Sequence, residues 1–278
     1  MPIVLALGCA VLWGTADFAG GTASRRSPST TVLLWSSLVA LAALLVAGVV
    51  SQDLVLDGTA IGWGAVAGVG ACLGILALYR GLATGVMGVV APIASTSVIV
   101  PVVFGLLTGA SVPVLCGLGI VIAVIGVVLA GGPHLRDFRT GGHRTVLLAI
   151  GAAAGIGVSL VAVAQGSASS AVTTLLVMRL GYLAILIPSV LVRSVPRVPA
   201  RSVLPLVLLA GAGDVTAVGL YGIATRMGSL PIVAAISSMF PVTTLLLARR
   251  LHDERLSREQ LVGVIAALLG VVLIVSTQ

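Results

Sequence analysis

Ionisable side chains in the middle of apolar runs are the first feature of this 278-residue chain that asks for an explanation. Arg179 and Asp214 each stand near the centre of such a run, where a charge costs about 2.5–3.5 kcal/mol to insert into a bilayer. Their runs are consecutive and joined by a short connection, which makes them neighbours in space. Two chemistries fit the pair. In one, Asp214 is a cation ligand or proton carrier in a water-accessible cavity and Arg179 is its partner. In the other, a buried ion pair locks two helices together and does nothing else. Asp17 follows Trp13 by four residues, so on a helix both face the same way, and an aromatic ring beside a carboxylate can hold an organic cation. Asp17 is also close to Arg25 and Arg26, and the favoured reading places it at the membrane interface in a solvated contact. Trp13 then serves packing or the interface.

Two further residue pairs recur. Pro101 and Pro241 each interrupt an apolar run, removing a backbone hydrogen bond and inviting a kink. Each has a serine four residues earlier, Ser97 and Ser237, able to bond backbone carbonyls. Interrupted helices at matching positions of two halves point to a central site with the prolines as hinges. Tyr79 and Tyr221 line a cavity or mark the interface belt, the belt being the simpler reading. Catalytic chemistry has no foothold. His134, His143 and His252 fall in linkers, and there is no HExxH, GxSxG or P-loop pattern. Cys9, Cys72 and Cys116 lie in apolar runs without CxxC spacing and read as small fillers. No cofactor and no metal site is expected.

The elements that must position these residues are membrane helices. The chain is 59% hydrophobic and 8% charged, with mean hydropathy +1.23, against roughly 25% charged in soluble domains. Long continuous apolar runs exclude the alternating pattern of a membrane barrel. Spans of crossing length fall at about 3–21, 31–50, 60–79, 86–108, 112–131, 145–165, 172–192, 203–223, 229–248 and 259–276. The first has no basic stretch before it and is followed by Arg25 and Arg26, so it reads as a retained helix rather than a cleaved signal peptide, the small residues near Ala23 being what favours the second reading. Glycines spaced by four, as at Gly64/Gly68, Gly70/Gly74, Gly105/Gly109 and Gly151/Gly155, read as close helix packing.

Positions about 140 apart match. Met87-Gly88, Ser97 and Pro101 reappear as Met227-Gly228, Ser237 and Pro241, while Gly119 and Gly126 reappear as Gly263 and Gly270. The fold class is therefore all-α integral membrane, with ten transmembrane helices as two five-helix repeats: residues 1–132, a basic linker 133–144, and residues 145–278. Five is odd, so the second repeat enters from the opposite face and the repeats are inverted. Every basic residue is arginine. Those outside the spans gather in the linkers after helices 1, 3, 5, 7 and 9, while the opposite face has Arg226 with Asp53 and Asp57. The positive-inside rule makes the first set cytoplasmic and puts both termini outside. Scattered arginines between apolar runs are topology signals, so nucleic acid is not an expected partner.

The run Ser237 to Gly270, SSMFPVTTLLLARRLHDERLSREQLVGVIAALLG, resembles the closing segment of bacterial EamA-domain proteins of the drug/metabolite transporter superfamily. Trp13-Gly14 and the segment Ala77 to Thr96 are similar to other parts of that domain. The resemblance implies two EamA halves, alternating access, and a cavity lined chiefly by helices 1, 3, 4, 6, 8 and 9, with helices 5 and 10 at the back. It would set Trp13, Tyr79, Ser97, Asp214, Tyr221 and Ser237 near the cavity, and it implies export of amino acids, metabolites or drugs. Two features depart from the pattern. Gly109-Ala110 stands where a Gly-Glu pair usually closes helix 4, and many relatives keep both termini in the cytoplasm.

The expected function is a multi-pass cell-membrane secondary transporter, an exporter of a small molecule, driven by a proton or ion gradient or by the substrate's own gradient. The expected partners are that substrate and membrane lipid, with a homodimer through outer helices left open. The alternatives are an enzyme on lipid-linked substrates, whose only candidate cluster is Asp253-Glu254 near His252, and a scaffold or sensor that moves nothing.

Overall fold

The structure is a computed structural model, and it describes residues 1–51, 54–84, 93–130, 143–192, 198–252 and 257–277. The elements are α1 (Pro2–Ser24), α2 (Ser29–Ser51), α3 (Gly58–Thr84), α4 (Ile99–Leu107), α5 (Val114–Ala130), α6 (His143–Ser167), α7 (Ala171–Val192), α8 (Leu204–Met227), α9 (Leu230–Ser237), α10 (Phe240–His252) and α11 (Arg258–Ser276). No strand occurs among the described residues. Eight helical stretches are long and apolar enough to cross a bilayer, with Leu230–Leu251 counted as one, and Ile93–Leu107 and Val114–Ala130 are the two shorter apolar helices. Together they make ten spans, α9 and α10 being two parts of the ninth. Their outer faces carry exposed Leu, Ile and Val, as at Val46, Leu118 and Val272, which is the surface a lipid solvent requires.

Local chemistry ends the helices. Asp57 caps α3, its Oδ2 accepting from the Ala60 amide at 3.3 Å. The Ser169 hydroxyl donates to the same oxygen at 2.6 Å, and this bond, first among several, holds the Asp57 carboxyl below its ordinary range. The contact ties the loop before α3 to the turn between α6 and α7. Ser257 and Gln260 form a reciprocal capping box that starts α11.

The helices are held by small residues rather than by bulky ones, because lipid supplies no hydrophobic drive for one helix to leave it for another. Glycine lets two backbones touch. A Cβ on Gly119 would stand 2.9 Å from the Gly270 carbonyl oxygen, and one on Gly126 would stand 2.7 Å from that of Gly263. Gly119 and Gly263 are repeat equivalents, as are Gly126 and Gly270, so each glycine meets the partner of the other. An antiparallel, two-fold related pair α5–α11 is the arrangement that produces this. Helix α3 has two such faces: Gly64 and Gly68 press on α7, while Gly70 and Gly74 press on Gly155 and Ile156 of α6. Gly109 instead forms a turn, with φ +95 and nothing against it.

The packing interlaces the two repeats. Helix α1 lies along α8, and its equivalent α6 lies along α3, while α2 meets α7 and α4 meets α9. Each repeat is thus completed by the other, and the centre of the molecule belongs to both. The broken helices explain themselves in the same way. A proline ring clashes with the carbonyl four residues back, which is Ser97 for Pro101 and Ser237 for Pro241. At both places the α-helix stops: Thr96–Val98 is a 3₁₀ turn, and the chain restarts at Phe240 after a turn at Ser238 and Met239. Pro241 therefore sits in the first turn of α10, where its missing N–H costs nothing, instead of kinking a continuous helix.

Gly126→Leu should force α5 from α11 and lower the melting temperature of the detergent-purified protein steeply, whereas Gly117→Ala, at a glycine with open space around it, should leave it unchanged or slightly raised. Equal effects of the two substitutions would mean that the glycine contact does not hold this pair of helices together.

Candidate functional site

Seven spans surround a cavity of about 200 Å³ at mid-height of the bundle. Trp13 and Asp17 reach it from α1, Asp214, Val218 and Tyr221 from α8, and Ser237, Ser238 and Phe240 from the break in the ninth span. Opposite stand Ala71, Ile75 and Leu78 of α3, Ile156 and Leu160 of α6, and Ser97 and Val98 of the other broken helix. Among the described residues, spans 5 and 10 contribute nothing to the lining, and they pack on each other.

A three-membered polar knot fixes one wall. The Arg179 guanidinium on α7 is ion-paired with Asp214 Oδ2, and the Trp13 indole N–H donates to Asp214 Oδ1 at 3.1 Å. Arg179 is 4% exposed and lies outside the cavity, its guanidinium carbon 5.3 Å from the centre of the Tyr182 ring. The Asp214 side chain is 36% exposed, and what it is exposed to is the cavity. The Trp13 ring is set against Tyr221, with centroids 5.8 Å apart, and edge-on to Phe240 at 6.1 Å. Its aromatic faces are thereby held in place while its N–H is spent on Asp214.

Asp17 stands differently. It lies one turn beyond Trp13 on the same face, lines the cavity, and forms no hydrogen bond or ion pair among the described residues. The charge it feels from the other carboxylate, Asp214, is repulsive. Tyr221 is fully buried, and its hydroxyl has no hydrogen-bond partner. A buried phenol without a partner costs about 1–3 kcal/mol.

Several expectations from the sequence change here. Asp17 points into the cavity instead of resting beside Arg25 and Arg26, because α1 turns that face toward α8. Tyr221 belongs to the buried centre and not to an interface belt, since Trp13 and α8 enclose its ring. Trp13 has both packing and a specific hydrogen bond. Ser97 and Ser237 reach the lining, the Ser237 hydroxyl also lying 3.5 Å from the Ala6 carbonyl oxygen. The Tyr79 side chain lies outside the described residues, as do Asp253 and Glu254. The cavity also includes α7, through Met178 and Tyr182, which neither the spacing nor the resemblance indicated. Tyr182 is three residues after Arg179, one helical turn along, and an aromatic at that distance from an intramembrane arginine is the signal that was there to be used. Ser159 of α6, buried at 4% exposure, carried no signal beyond being a hydroxyl in an apolar run.

The two walls are equivalent in position and unlike in chemistry. Trp13 and Ile156, Asp17 and Leu160, Asp214 and Ala71, Val218 and Ile75, and Tyr221 and Leu78 are each 143 positions apart, and all ten residues line the cavity. The register is shown independently by Gly14 and Gly157, also 143 apart. Cβ atoms there would stand 2.5 Å from the Phe240 carbonyl oxygen and 2.6 Å from that of Ser97, so each glycine is pressed on a broken helix. At every equivalent pair but one the polar or aromatic member comes from α1 or α8 and the aliphatic member from α3 or α6; at the exception, Val218 and Ile75, both are aliphatic.

Ten apolar helices in two interlocked repeats, broken twice beside a central cavity, define a polytopic membrane protein. The EamA-like transporter family matches the chain twice, at residues 1–132 and at residues 143–276. The chain belongs to that family, within the drug/metabolite transporter superfamily, and the family is one of transporters rather than enzymes. A solved crystal structure, described only as that of a protein, superposes with a TM-score of 0.80 at 16% identity, covering 99% of this chain and 98% of its own. At that identity the likeness speaks for the fold alone. No curated protein matches the chain.

Removing one member of the knot leaves a carboxylate in the membrane without its counter-charge. Breaking a buried pair costs about 3–5 kcal/mol, and the access of Asp214 to the cavity puts Arg179→Met near the lower figure, about 3 kcal/mol. Trp13→Phe keeps an aromatic ring but deletes a hydrogen bond to a charged group, about 1.5–3 kcal/mol, with some of the packing on Tyr221 and Phe240. Unfolding of the purified protein should rank wild type above Trp13→Phe above Arg179→Met, with Arg179→Met/Asp214→Leu recovering part of the loss. A double variant no more stable than Arg179→Met would show that the unpaired charge is not the source of the cost.

Proposed function

We propose that this protein is a secondary transporter that exports a small molecule by alternating access, with the central cavity as the substrate site. The observation that carries the reading is an unpartnered carboxylate, Asp17, in the lining of a cavity at the two helix breaks, on the side bordered by the Trp13 and Tyr221 rings. Polar groups this deep in a membrane are costly unless something polar visits them, and broken helices at the centre of inverted repeats are where carriers hold substrate. The sequence holds no nucleotide-binding motif, so the driving force is a proton or ion gradient, or the gradient of the substrate. The volume of about 200 Å³ lies below the roughly 300–1,000 Å³ of sites for drug-sized ligands. A metabolite-sized substrate fits it.

Purified protein reconstituted into liposomes loaded with a mixture of amino acids, amines and other small metabolites should release at least one of them saturably. Ala71→Trp, which fills the cavity from its apolar wall, should abolish the release while the protein remains monodisperse. Release no faster than from protein-free vesicles, under a pH gradient of either sign, would defeat the carrier reading.

Orientation follows from charge. Arg25, Arg26, Arg144, Arg201, Arg249, Arg250 and Arg258 mark one face of the described structure and Arg226 the other. We read the linkers after spans 1, 3, 5, 7 and 9 as cytoplasmic, which places both termini on the far side. A C-terminal alkaline phosphatase fusion should then be active and a C-terminal green fluorescent protein fusion dark, and the reverse pattern would invert the assignment.

A further inference from the structure

The cavity has a definite charge. Asp214 is matched by Arg179, so among the described lining residues the remaining formal charge is that of Asp17, and no lining side chain there is cationic. Asp214 has also committed one oxygen to the Trp13 N–H, whereas Asp17 has both oxygens uncommitted. Around these carboxylates stand rings already locked in position, Trp13, Tyr221, Phe240 and Tyr182, whose faces attract cations. The Tyr221 ring borders the same side, its hydroxyl enclosed among protein atoms. Across the cavity, Ile75, Leu78, Ile156 and Leu160 offer an aliphatic wall with no polar atom to satisfy.

We propose that the cavity takes a small amphipathic monocation, a protonated amine on an apolar body, with Asp17 as its counter-ion, and that it turns away zwitterions and anions. The ammonium group lies between Asp17 and the aromatic rings. Its body lies on the α3–α6 wall. A zwitterionic amino acid of the same shape brings a carboxylate that meets Asp17 and Asp214 and finds no free cation among the described lining residues, so it is left buried and unpaired. Arg179 does not serve it, being outside the lining and engaged with Asp214. A dication would exceed the single uncompensated charge. This inference deepens the carrier reading by naming the substrate class of the same cavity, and it rests on that reading only for movement, not for binding.

Three probes of one shape separate the possibilities: phenethylamine, phenylalanine and 3-phenylpropionate, titrated calorimetrically into the purified full-length protein near neutral pH. Phenethylamine should bind saturably at one site, and the other two should bind about tenfold or more weakly, a difference of about 1.4 kcal/mol. Asp17→Asn should bring phenethylamine down to the level of the other two, and Asp17→Glu should retain binding. Phenylalanine or phenylpropionate binding as tightly as the amine overturns the proposal, as does amine binding that survives Asp17→Asn, or no saturable amine binding. The comparison of probes on the wild type decides the matter even if Asp17→Asn does not fold. Amine that binds in micelles but is not released faster from proteoliposomes would refute the carrier and leave the site. Saturable release of phenylalanine without release of the amine would refute the site and leave the carrier.

Discussion

A carboxylate within the hydrocarbon core has to be answered by a counter-charge, by hydrogen bonds or by a cavity, because the lipid answers it with nothing. Asp214 is answered in all three ways. Arg179 neutralises it from α7, Trp13 donates to it from α1, and its remaining surface faces the cavity. Three helices are bound by one side chain, and two of them come from the second repeat while the third comes from the first. The knot therefore does more than cancel charge. It sets the plane of the Trp13 ring, and through that ring it sets Tyr221 and Phe240. The position of every aromatic on the polar wall can be followed back to it. Asp17, one turn away on the same face of α1, gains its character from the same arrangement, since Arg179 is already engaged with Asp214.

Around the knot the framework is built of small residues. Gly126 against Gly263, Gly119 against Gly270 and Gly74 against Gly155 bring backbones together at distances where a methyl group would collide. Such contacts supply dispersion over long helix faces and do not depend on water. They also leave the bulky aliphatic side chains outside, where lipid is their solvent. The two roles divide cleanly: glycine and alanine hold the bundle, and a few polar and aromatic groups furnish its centre.

Much of this could be read from the residues. Ten apolar runs of crossing length, and the recurrence of Ser97/Pro101 as Ser237/Pro241 and of Gly119/Gly126 as Gly263/Gly270, determine the repeat, because bilayer thickness and helix rise leave little freedom. Arg179 and Asp214 were legible as a pair because each is expensive alone. The rotation of a helix about its axis was not legible. Both faces of α1 are apolar enough to face lipid, so the sequence around Asp17 does not say whether that side chain turns to the centre or slips to the interface, and nearby Arg25 and Arg26 favour the wrong answer. Tyr221 was obscured for the same reason, a tyrosine near a helix end being at home in either place. The part played by α7 depends on how far that helix leans between α2 and α3, which is a tertiary quantity. The glycines Gly64 and Gly68, against which α7 rests, carry that information, but the partner of a small-residue motif cannot be named from the motif.

The interlacing of the repeats bears on how such a cavity could open. The polar wall is α1 with α8, and the apolar wall is α3 with α6; each wall takes one helix from each repeat. Within a wall the helices touch along their length, whereas between the walls contact is sparser: α6 meets α8 where Gly222 stands against Ser167, and the broken helices bridge the rest, where Pro101 and Pro241 interrupt backbone hydrogen bonding. If the proposed carrier opens, the line between the walls, and not the boundary between the repeats, is where the fewest contacts have to be broken. Trp13, Asp17, Asp214 and Tyr221 would then travel as one body. A ligand held by those four keeps its polar contacts while the aliphatic wall moves past its apolar side, and an aliphatic surface, having no hydrogen bonds to break, offers little resistance to sliding. Concentrating the polarity on one of two equivalent walls is thus a sufficient reason for two repeats of the same fold to have diverged so unequally in their lining residues.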